Sequence, residues 1–430
     1  MRKQLTDLRR RMAQENIDAY LIPSDDFHGS EYVGNHFKCR SHVSGFTGSA
    51  GTLLVTADWA GLWTDGRYFL QAAQQLDGSG ITLCKTGEKD VPTEEAYLKE
   101  TLQPGQCLGF DGRTVTAKRF HSLETALAGL DITFRTDVDL AGDGWPDRPP
   151  LSASPAWALD EVYCGRSRAE KLTQIRRLLS DRKADVLLLS SLDDIAWLLN
   201  LRGGDVACCP VVLSFLALTA SDARLFINPT VLPEALKSAL VADGISLAPY
   251  DEIYAYAAAL PDHCSVWLDE EKTNCALWRA AAHCSIVSAA NPTLLPKAIK
   301  NASEVANERT AHLHDGAALT QWIFWLKATV GRSPITERSS AEKLEALRAR
   351  QPHYLEPSFD PIVAYGPHGA IVHYSATEES DVPLEPQGFL LADTGGHYLE
   401  GTTDVTRTIA LGPVSEEMKR HYTLVLRSHL

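Results

Sequence analysis

The spacing of apolar and polar residues divides the first part of the chain into helix-like and strand-like segments. Leu5, Leu8 and Met12 recur at helical spacing and predict a folded first helix at the N-terminus. The pattern then predicts a helix end, a strand, a Gly-containing turn and a second strand, at residues 8–16, 19–22, 44–48 and 52–56.

The same order of segments recurs after residue 156. The pattern predicts a helix, a strand and a turn at residues 171–181, 186–189 and 201–204, and then a strand at residues 210–213 and their extension. Both copies then pass through a Thr-Ala motif, at Thr56 and Thr219, into a further strand. The recurrence indicates two related α/β modules, with a chance likeness between two α/β segments as the alternative. The Pro- and Gly-rich residues 142–155 predict a linker between them.

A third region begins near residue 299. Ser303 is a candidate N-cap for a long helix to Lys327. One face of that helix would carry His312, Gly316, Leu319, Ile323 and Leu326. Next come a polar helix, two strand-like runs, two further strand-like runs and a last helix from Ser415, at residues 341–350, 361–365, 370–374, 388–393, 403–408 and 415–430.

These patterns predict a chain of three domains in the α/β and α+β fold classes. The predicted bounds are 1–155, 156–298 and 299–430. The 44% hydrophobic and 22% charged content is that of an ordinary protein with a full core.

Net charge and apolar run lengths exclude several kinds of partner. A formal net charge of −14 argues against nucleic acid and against an anionic membrane surface. The N-terminus has no signal-peptide core, and the longest apolar run, residues 206–220, is too short to span a bilayer. Nine scattered cysteines without C-x-x-C spacing indicate reduced thiols, most of them in the core. The sequence therefore predicts a cytoplasmic protein.

The two aspartates Asp393 and Asp404 are the most informative residues in the chain. They lie on strand-like runs that a Gly-rich turn separates, so a hairpin would place them near one rung. Two carboxylates that close repel each other unless a proton or a cation compensates them. Hard divalent cations prefer carboxylate oxygen, so a metal site is one interpretation. Two solvated turn carboxylates are the other.

Several motifs in order resemble one family. They include Ser-Gly-Phe-Thr-Gly-Ser-Ala-Gly at 44–51, Leu-Trp-Thr-Asp-Gly-Arg-Tyr at 62–68, Asp-Ile-Ala-Trp-Leu-Leu-Asn at 194–200 and Gly-Ala-Ile-Val-His-Tyr at 369–374. With the aspartate pair, these motifs resemble the Xaa-Pro aminopeptidases (aminopeptidase P) of the three-domain cytosolic type, in the creatinase and methionine-aminopeptidase superfamily. The resemblance implies two creatinase-like front domains and a C-terminal pita-bread domain.

The resemblance also implies a reaction and its residues. The family removes an N-terminal residue when proline follows, using two divalent metals, usually Mn²⁺, and a metal-activated hydroxide. Asp393 would bind one metal and Asp404 would bridge both. His373 would contact the substrate and assist the leaving nitrogen, and Arg67 would lie at the peptide-binding site. Without the resemblance, His373 is a hydrogen-bonded strand histidine and Arg67 a surface arginine near Asp65.

The family pattern has three further ligands, a histidine and two glutamates, downstream of the aspartates. The sequence ends before that region, so the resemblance predicts an incomplete pita-bread domain. This predicts a chain that is inactive alone or is completed by a separately encoded C-terminal fragment. A non-catalytic pseudoenzyme that serves as a dimerisation or peptide-binding module is the alternative, and a related creatinase-type hydrolase is a third. The family-based expectation for the assembly is a homodimer.

Overall fold

The structure, a computed structural model, describes residues 2–430 and divides into two units. The front unit contains residues 2–161 and Arg166–Lys300. The rear unit contains Val162–Gly165 and Asn301–Leu430.

Within residues 2–161, six strands form the first sheet of the front unit. They are β1 (Ala19–Pro23), β2 (Thr52–Thr56), β3 (Ala60–Thr64), β4 (Thr82–Lys85), β5 (Cys107–Gly109) and β6 (Thr133–Arg135), in the order β4-β3-β2-β1-β5-β6. The helices are α1 (Lys3–Gln14), α2 (Cys39–Ser44), α3 (Phe69–Gln75), α4 (Glu94–Thr101), α5 (Ala117–Leu127) and α6 (Leu140–Asp143), with a 3₁₀ helix at Asn35–Phe37. Leu5, Leu8 and Met12 are the buried face of α1, as their spacing predicts.

A second sheet follows in the front unit. Its strands are β8 (Val186–Leu189), β10 (Ser214–Thr219), β11 (Ala223–Ile227), β12 (Ile245–Ala248), β13 (Ser265–Leu268) and β14 (Ser285–Ser288). The short strands β7 (Trp157–Ala158) and β9 (Leu201–Arg202) form a separate two-stranded sheet. The short helix α7 (Glu161–Cys164) belongs largely to the rear unit. The helices that accompany the second sheet are α8 (Arg168–Asp181), α9 (Leu192–Leu199), α10 (Glu234–Ala242), α11 (Glu252–Ala258), α12 (Cys275–Ala281) and α13 (Leu294–Ala298), with a 3₁₀ helix at Pro229–Val231.

The two sheets of the front unit share one topology. The second sheet has the order β12-β11-β10-β8-β13-β14, which repeats the first strand for strand. The central strand of each pairs antiparallel with the next strand (β1 with β2, β8 with β10) and parallel with a later one. Identical order and direction confirm the predicted repeat of two α/β modules.

Between residues 301 and 430, helices and short strands build the rear unit. The helices are α14 (Ala302–Thr329), α15 (Glu337–Arg348) and α16 (Glu416–His429), with a 3₁₀ helix at Gly366–Ala370. The strands are β15 (Tyr354–Pro357), β16 (Ile362–Tyr365), β17 (Phe389–Thr394), β18 (Gly396–Tyr398) and β19 (Val405–Ala410), paired as β16-β17-β19 and β15-β18.

One face of the β16-β17-β19 sheet forms the core of the rear unit with the two long helices. Leu390 and Ile409 from the sheet pack with Leu319 and Trp322 of α14 and Leu344 of α15. Since side chains alternate along a strand, every second residue of β17 instead points to the opposite face.

Two sequence predictions in this unit need correction. Asn301, not Ser303, caps α14, because its side chain accepts the Glu304 N–H while Glu304 binds the Asn301 N–H in return. Residues 370–374 do not form a strand, since the 3₁₀ helix Gly366–Ala370 runs into a turn there. Gly366 starts that helix with φ of +56°, a left-handed conformation that glycine adopts readily.

Cysteine burial and helix hydropathy agree with the sequence analysis. Seven of the nine cysteines in residues 2–430 are buried, as predicted for small core side chains. Over the same residues, none of the helices combines the length and the apolar character that crossing a bilayer requires.

Candidate functional site

Asp393 and Asp404 lie on the same face of the rear-unit sheet. Asp393 pairs with Thr406 across β17 and β19, and Asp404 lies two residues before Thr406. Directly opposite residues share a face, and Asp404, which lies directly before β19, continues the alternation on the same side, as its interaction with Asp393 indicates. The two aspartates are therefore diagonal neighbours. Asp404 lies two residues before the residue that is directly opposite Asp393.

The two carboxyl groups interact directly. Burial, followed by the charge of Asp393 and a hydrogen bond to its carboxyl group, raises the pKa of Asp404 above its ordinary value. Asp393 is half-buried and also accepts a 2.7 Å hydrogen bond from Thr406 Oγ1. A bound proton or cation would therefore stabilise this pair.

The carboxylate pair fits part of a divalent metal site. Both groups offer hard oxygen donors on one open face of a sheet, which is the ligand type that Mn²⁺ and Mg²⁺ prefer. Among residues 2–430, no group of three or more His, Cys, Asp or Glu side chains comes together to hold an ion. The described residues thus bring together the two aspartates of the ligand set that the family resemblance implies.

A buried ion pair that sequence reasoning missed lies behind Asp393. The Arg348 guanidinium on α15 donates to Asp315 of α14, with Nε–Oδ1 and Nη2–Oδ2 distances of 2.6 and 3.2 Å. Arg348 Nη2 also donates to Thr394 Oγ1 at 3.1 Å, and the Tyr398 hydroxyl donates to Asp315 at 3.2 Å. Since Thr394 follows Asp393 on β17, this network fixes the strand end that carries the first aspartate.

His373 lies in a turn, not in the predicted strand, and is half-buried. Its neighbours Ile371 and Tyr374 pack with Ile362 and Leu391. Ile362 pairs with Asp393 across β16 and β17, and Leu391 lies two residues before Asp393, so both share its face. The His373 turn therefore packs on the face of the sheet that carries the aspartates.

Arg67 lies in the front unit, directly after β3, and forms an ion pair with Asp65. Its Nε and Nη2 donate to Asp65 Oδ1 and Oδ2 at 2.9 and 2.8 Å, which is the pairing considered for a surface arginine. The hydrogen bonds to Asp65 raise the pKa of Arg67 above its ordinary value. Arg67 also lines a cavity of about 510 Å³, together with Asp25, Arg119 and Lys272. The cavity has room for a short peptide segment or a small ligand.

Asp25, a half-buried residue on this cavity, makes the front unit sensitive to pH. Burial, followed by the charge of Asp26, raises the pKa of Asp25 from 3.8 to about 7. Between these two values the folded unit holds a proton that the unfolded chain releases, so stability falls as pH rises. We expect a loss of about 2 kcal/mol from pH 5 to pH 8, less than the full shift would give because solvent screens a half-buried group.

Hydrogen exchange of the β1 amides in the intact chain at both pH values measures this loss. Asp25→Asn should abolish it, because the amide does not titrate. Asp77→Asn, which changes an exposed carboxylate, should leave the dependence unchanged. Equal pH dependence in wild type and Asp25→Asn would contradict the assignment.

Family models match almost the whole chain in three consecutive segments. The creatinase/prolidase N-terminal domain is matched twice, by residues 4–137 and 147–304. Metallopeptidase family M24 is matched by residues 306–430.

Individual relatives agree. The chain is 35% identical to a probable Xaa-Pro aminopeptidase P of Neurospora crassa, over 99% of this chain and 64% of the relative. It is 36% identical to a probable Xaa-Pro aminopeptidase P of Chaetomium globosum, over 99% of this chain and 71% of the relative. A crystal structure of the Caenorhabditis elegans X-prolyl aminopeptidase, described as a cytosolic enzyme with a di-nuclear active site, superposes with a TM-score of 0.93 at 32% identity, over 99% of this chain and 72% of that one.

The chain thus spans roughly two thirds of the length of these relatives. Because the matches run over nearly all of this chain, they give no support to the expectation of an inactive chain or of a non-catalytic module. They do confirm the expected fold class, two creatinase-like α/β modules followed by a pita-bread metallopeptidase region. The chain belongs to the Xaa-Pro aminopeptidase P family, whose catalytic region is a family M24 metallopeptidase domain.

Proposed function

We propose that this protein is a metal-dependent aminopeptidase that releases the N-terminal residue of peptides with proline in second position. The observation that carries the proposal is the pair Asp393 and Asp404, which interact on one open sheet face of the M24 region. The relatives are Xaa-Pro aminopeptidases by name, and one is described as having a di-nuclear active site.

Asp393 and Asp404 would hold two divalent ions, which we propose to be Mn²⁺. When bound, such ions would lower the pKa of a water, so that it could attack a peptide carbonyl as hydroxide near neutral pH. Asp404 extends from the sheet beside Asp393 and can share its oxygens between two ions. Thr406, which donates to Asp393, fixes the orientation of that carboxylate.

His373 would act at the proline nitrogen. The nitrogen of an Xaa-Pro bond, like any amide nitrogen, must gain a proton as the C–N bond breaks, because it would otherwise leave as an unstable anion. An imidazole can carry a proton and donate it to a leaving nitrogen. The turn that carries His373 packs on the aspartate face, which supports this role.

The remaining parts of the proposal follow the family resemblance of the sequence. Proline-containing peptides would be the substrates, Arg67 would bind the peptide, and the assembly would be a homodimer. We propose a cytosolic location, as described for the Caenorhabditis elegans enzyme.

The proposal is tested by incubating purified chain, freed of metal and then supplied with Mn²⁺, with Arg-Pro-Pro and with Arg-Ala-Pro. We expect release of arginine from the first peptide, dependence on the metal, and no cleavage of the second. A folded, Mn²⁺-loaded protein that cleaves neither peptide would overturn the proposal.

Arg67→Ala should weaken peptide binding more than catalysis. We expect KM for Arg-Pro-Pro to rise about tenfold with kcat little changed, because a hydrogen bond to a charged group contributes about 1.5–3 kcal/mol. Steady-state kinetics measure both constants. Arg135→Ala is the matched control, since Arg135 also pairs with an aspartate two residues away, Asp137, and lies outside the cavity. Equal KM values for the two variants would remove Arg67 from the binding site.

A further inference from the structure

A fully buried carboxylate begins the second helix of the rear unit. Glu337 is the first residue of α15, and its side chain has 0% exposure. Near the positive end of a helix a negative charge is favoured, but burial removes the water that would otherwise solvate it. The protein must therefore supply every hydrogen bond to this group.

Three donors surround Glu337. The Tyr365 backbone N–H donates to Oε1 at 2.6 Å, and the Tyr374 hydroxyl donates to Oε2 at 2.7 Å. His368 Nδ1 lies 3.0 and 3.1 Å from the two oxygens. Because an ionised carboxylate can only accept, this contact requires the His368 tautomer, or the imidazolium, with a hydrogen on Nδ1.

The three donors belong to one short stretch of chain. Tyr365 ends β16, His368 lies in the 3₁₀ helix Gly366–Ala370, and Tyr374 ends the turn that follows. The rings of His368 and Tyr374 stack, with centroids 4.5 Å apart and planes 27° apart. A single carboxylate thus ties together the start, middle and end of residues 365–374.

His373 is the residue directly before the last of these anchors. The Tyr374 hydroxyl oxygen also lies 3.2 Å from Ser380 Oγ, and burial raises the pKa of Tyr374 to about 12, so this hydroxyl stays protonated and remains a donor to Glu337. Residues 371–374 form no strand ladder, so side-chain contacts must fix their conformation.

We infer that Glu337 is a positioning residue, which fixes the 365–374 stretch and thereby holds His373 at the sheet face that carries Asp393 and Asp404. The inference rests on the proposed function for the role of His373, but not for the placement of the turn. Glu337 acts through Tyr374 and His368 and touches no substrate.

Glu337→Gln tests the inference with little change of shape. The amide keeps one acceptor oxygen and places a donor against Tyr374 or His368, so the network cannot be satisfied. We expect kcat for Arg-Pro-Pro to fall about 10- to 100-fold, as for other groups that orient an active-site residue, with KM nearly unchanged.

The chemical reactivity of His373 tests the inference without requiring that the protein cleave a peptide. Diethyl pyrocarbonate modifies accessible imidazoles, and mass spectrometry gives the rate at each histidine. His373 should react several-fold faster in Glu337→Gln than in wild type, because the turn is released. Glu345→Gln is the matched control, since Glu345 on the same helix accepts from the Tyr354 hydroxyl at 2.7 Å. That variant should lose a similar hydrogen bond without changing the His373 rate.

The outcomes separate the inference from the proposed function. Faster modification of His373 in a chain that never cleaves Arg-Pro-Pro would support the placement of the turn and overturn the proposed reaction. Unchanged kcat and an unchanged His373 rate in an active Glu337→Gln enzyme would overturn the inference alone. If Glu337→Gln does not fold, Tyr374→Phe removes one hydroxyl, and a wild-type His373 rate in that variant would equally overturn it.

Discussion

Replacing Arg348 by methionine is expected to destabilise the rear unit by about 3–5 kcal/mol, the usual effect of removing one partner from a buried ion pair. Arg348 and Asp315 have side-chain exposures of 2% and 1%. Methionine fills much of the same space but leaves the Asp315 carboxylate with the Tyr398 hydroxyl as its remaining donor in this network. An unpaired buried charge then opposes folding.

Amide hydrogen exchange of α14, α15 and β17 in the intact chain measures this loss within the rear unit. A global unfolding curve would mix two units, so a local probe is needed. Asp315→Leu combined with Arg348→Met should recover much of the stability, because removing both charges leaves no unpaired ion. Lys419→Met is the control for an exposed pair with Glu416 and should cost less than about 1 kcal/mol. Similar losses of stability for Arg348→Met and Lys419→Met would show that the buried ion pair does not stabilise the rear unit more than an exposed pair does.

The overall architecture could be predicted because the spacing of apolar residues within each segment indicates whether that segment is a helix or a strand. Leu5, Leu8 and Met12 report helical period directly, and the apolar runs of both modules are strands buried on their sheets. The two modules have the same strand order, so predicting the fold of one also predicts the fold of the other. The helix α14 was predicted for the same reason, with its start displaced by two residues because Asn301 and Ser303 are both good caps.

The candidate site was predictable only in part, because its geometry depends on contacts between distant residues. The sequence predicts two aspartates on one ribbon, but the register that offsets them by two residues comes from the pairing of β17 with β19. Residues 370–374 have a strand-like composition, yet Glu337, 37 positions before Tyr374, bonds that stretch in another conformation. Tertiary contacts override local β-propensity there.

Buried charges were the least predictable feature. Asp315 and Arg348 lie on helices that bury one face, and a charged residue on such a helix is ordinarily expected on the solvent side. Their burial becomes understandable only when both helices and the end of β17 are assembled, since each then satisfies the hydrogen bonds of the other.

Asp404→Asn should abolish the proposed reaction, lowering kcat/KM for Arg-Pro-Pro by at least about 10³-fold. Metal ions contribute several kcal/mol of transition-state stabilisation, and about 1.4 kcal/mol corresponds to a factor of ten. The amide removes one charge from the pair and cannot share two anionic oxygens between ions. Glu417→Gln changes an exposed carboxylate on α16 and should retain full activity.

The same substitution should separate metal binding from folding. Without metal, Asp404→Asn removes the desolvation cost and the repulsion from Asp393 that raise the pKa of Asp404, so the rear unit should become slightly more stable. With Mn²⁺ at a hundred times its dissociation constant, wild type should gain about 2.7 kcal/mol of stability, and Asp404→Asn should gain little. Amide exchange of β17 and β19, with and without Mn²⁺, measures both effects.

If the aspartates bind metal, Asp404→Asn should make the rear unit more stable than wild type without Mn²⁺ and less stable than wild type with it. Two carboxylates that only repel each other would not favour this adjacent arrangement. A pair with a structural role would lose stability on Asp404→Asn in the absence of metal, since the hydrogen bond between the two carboxyl groups would be weakened. A pair of solvated carboxylates would show no change in either condition. If Mn²⁺ stabilises Asp404→Asn as much as wild type, then the ions bind elsewhere and the aspartates are not their ligands.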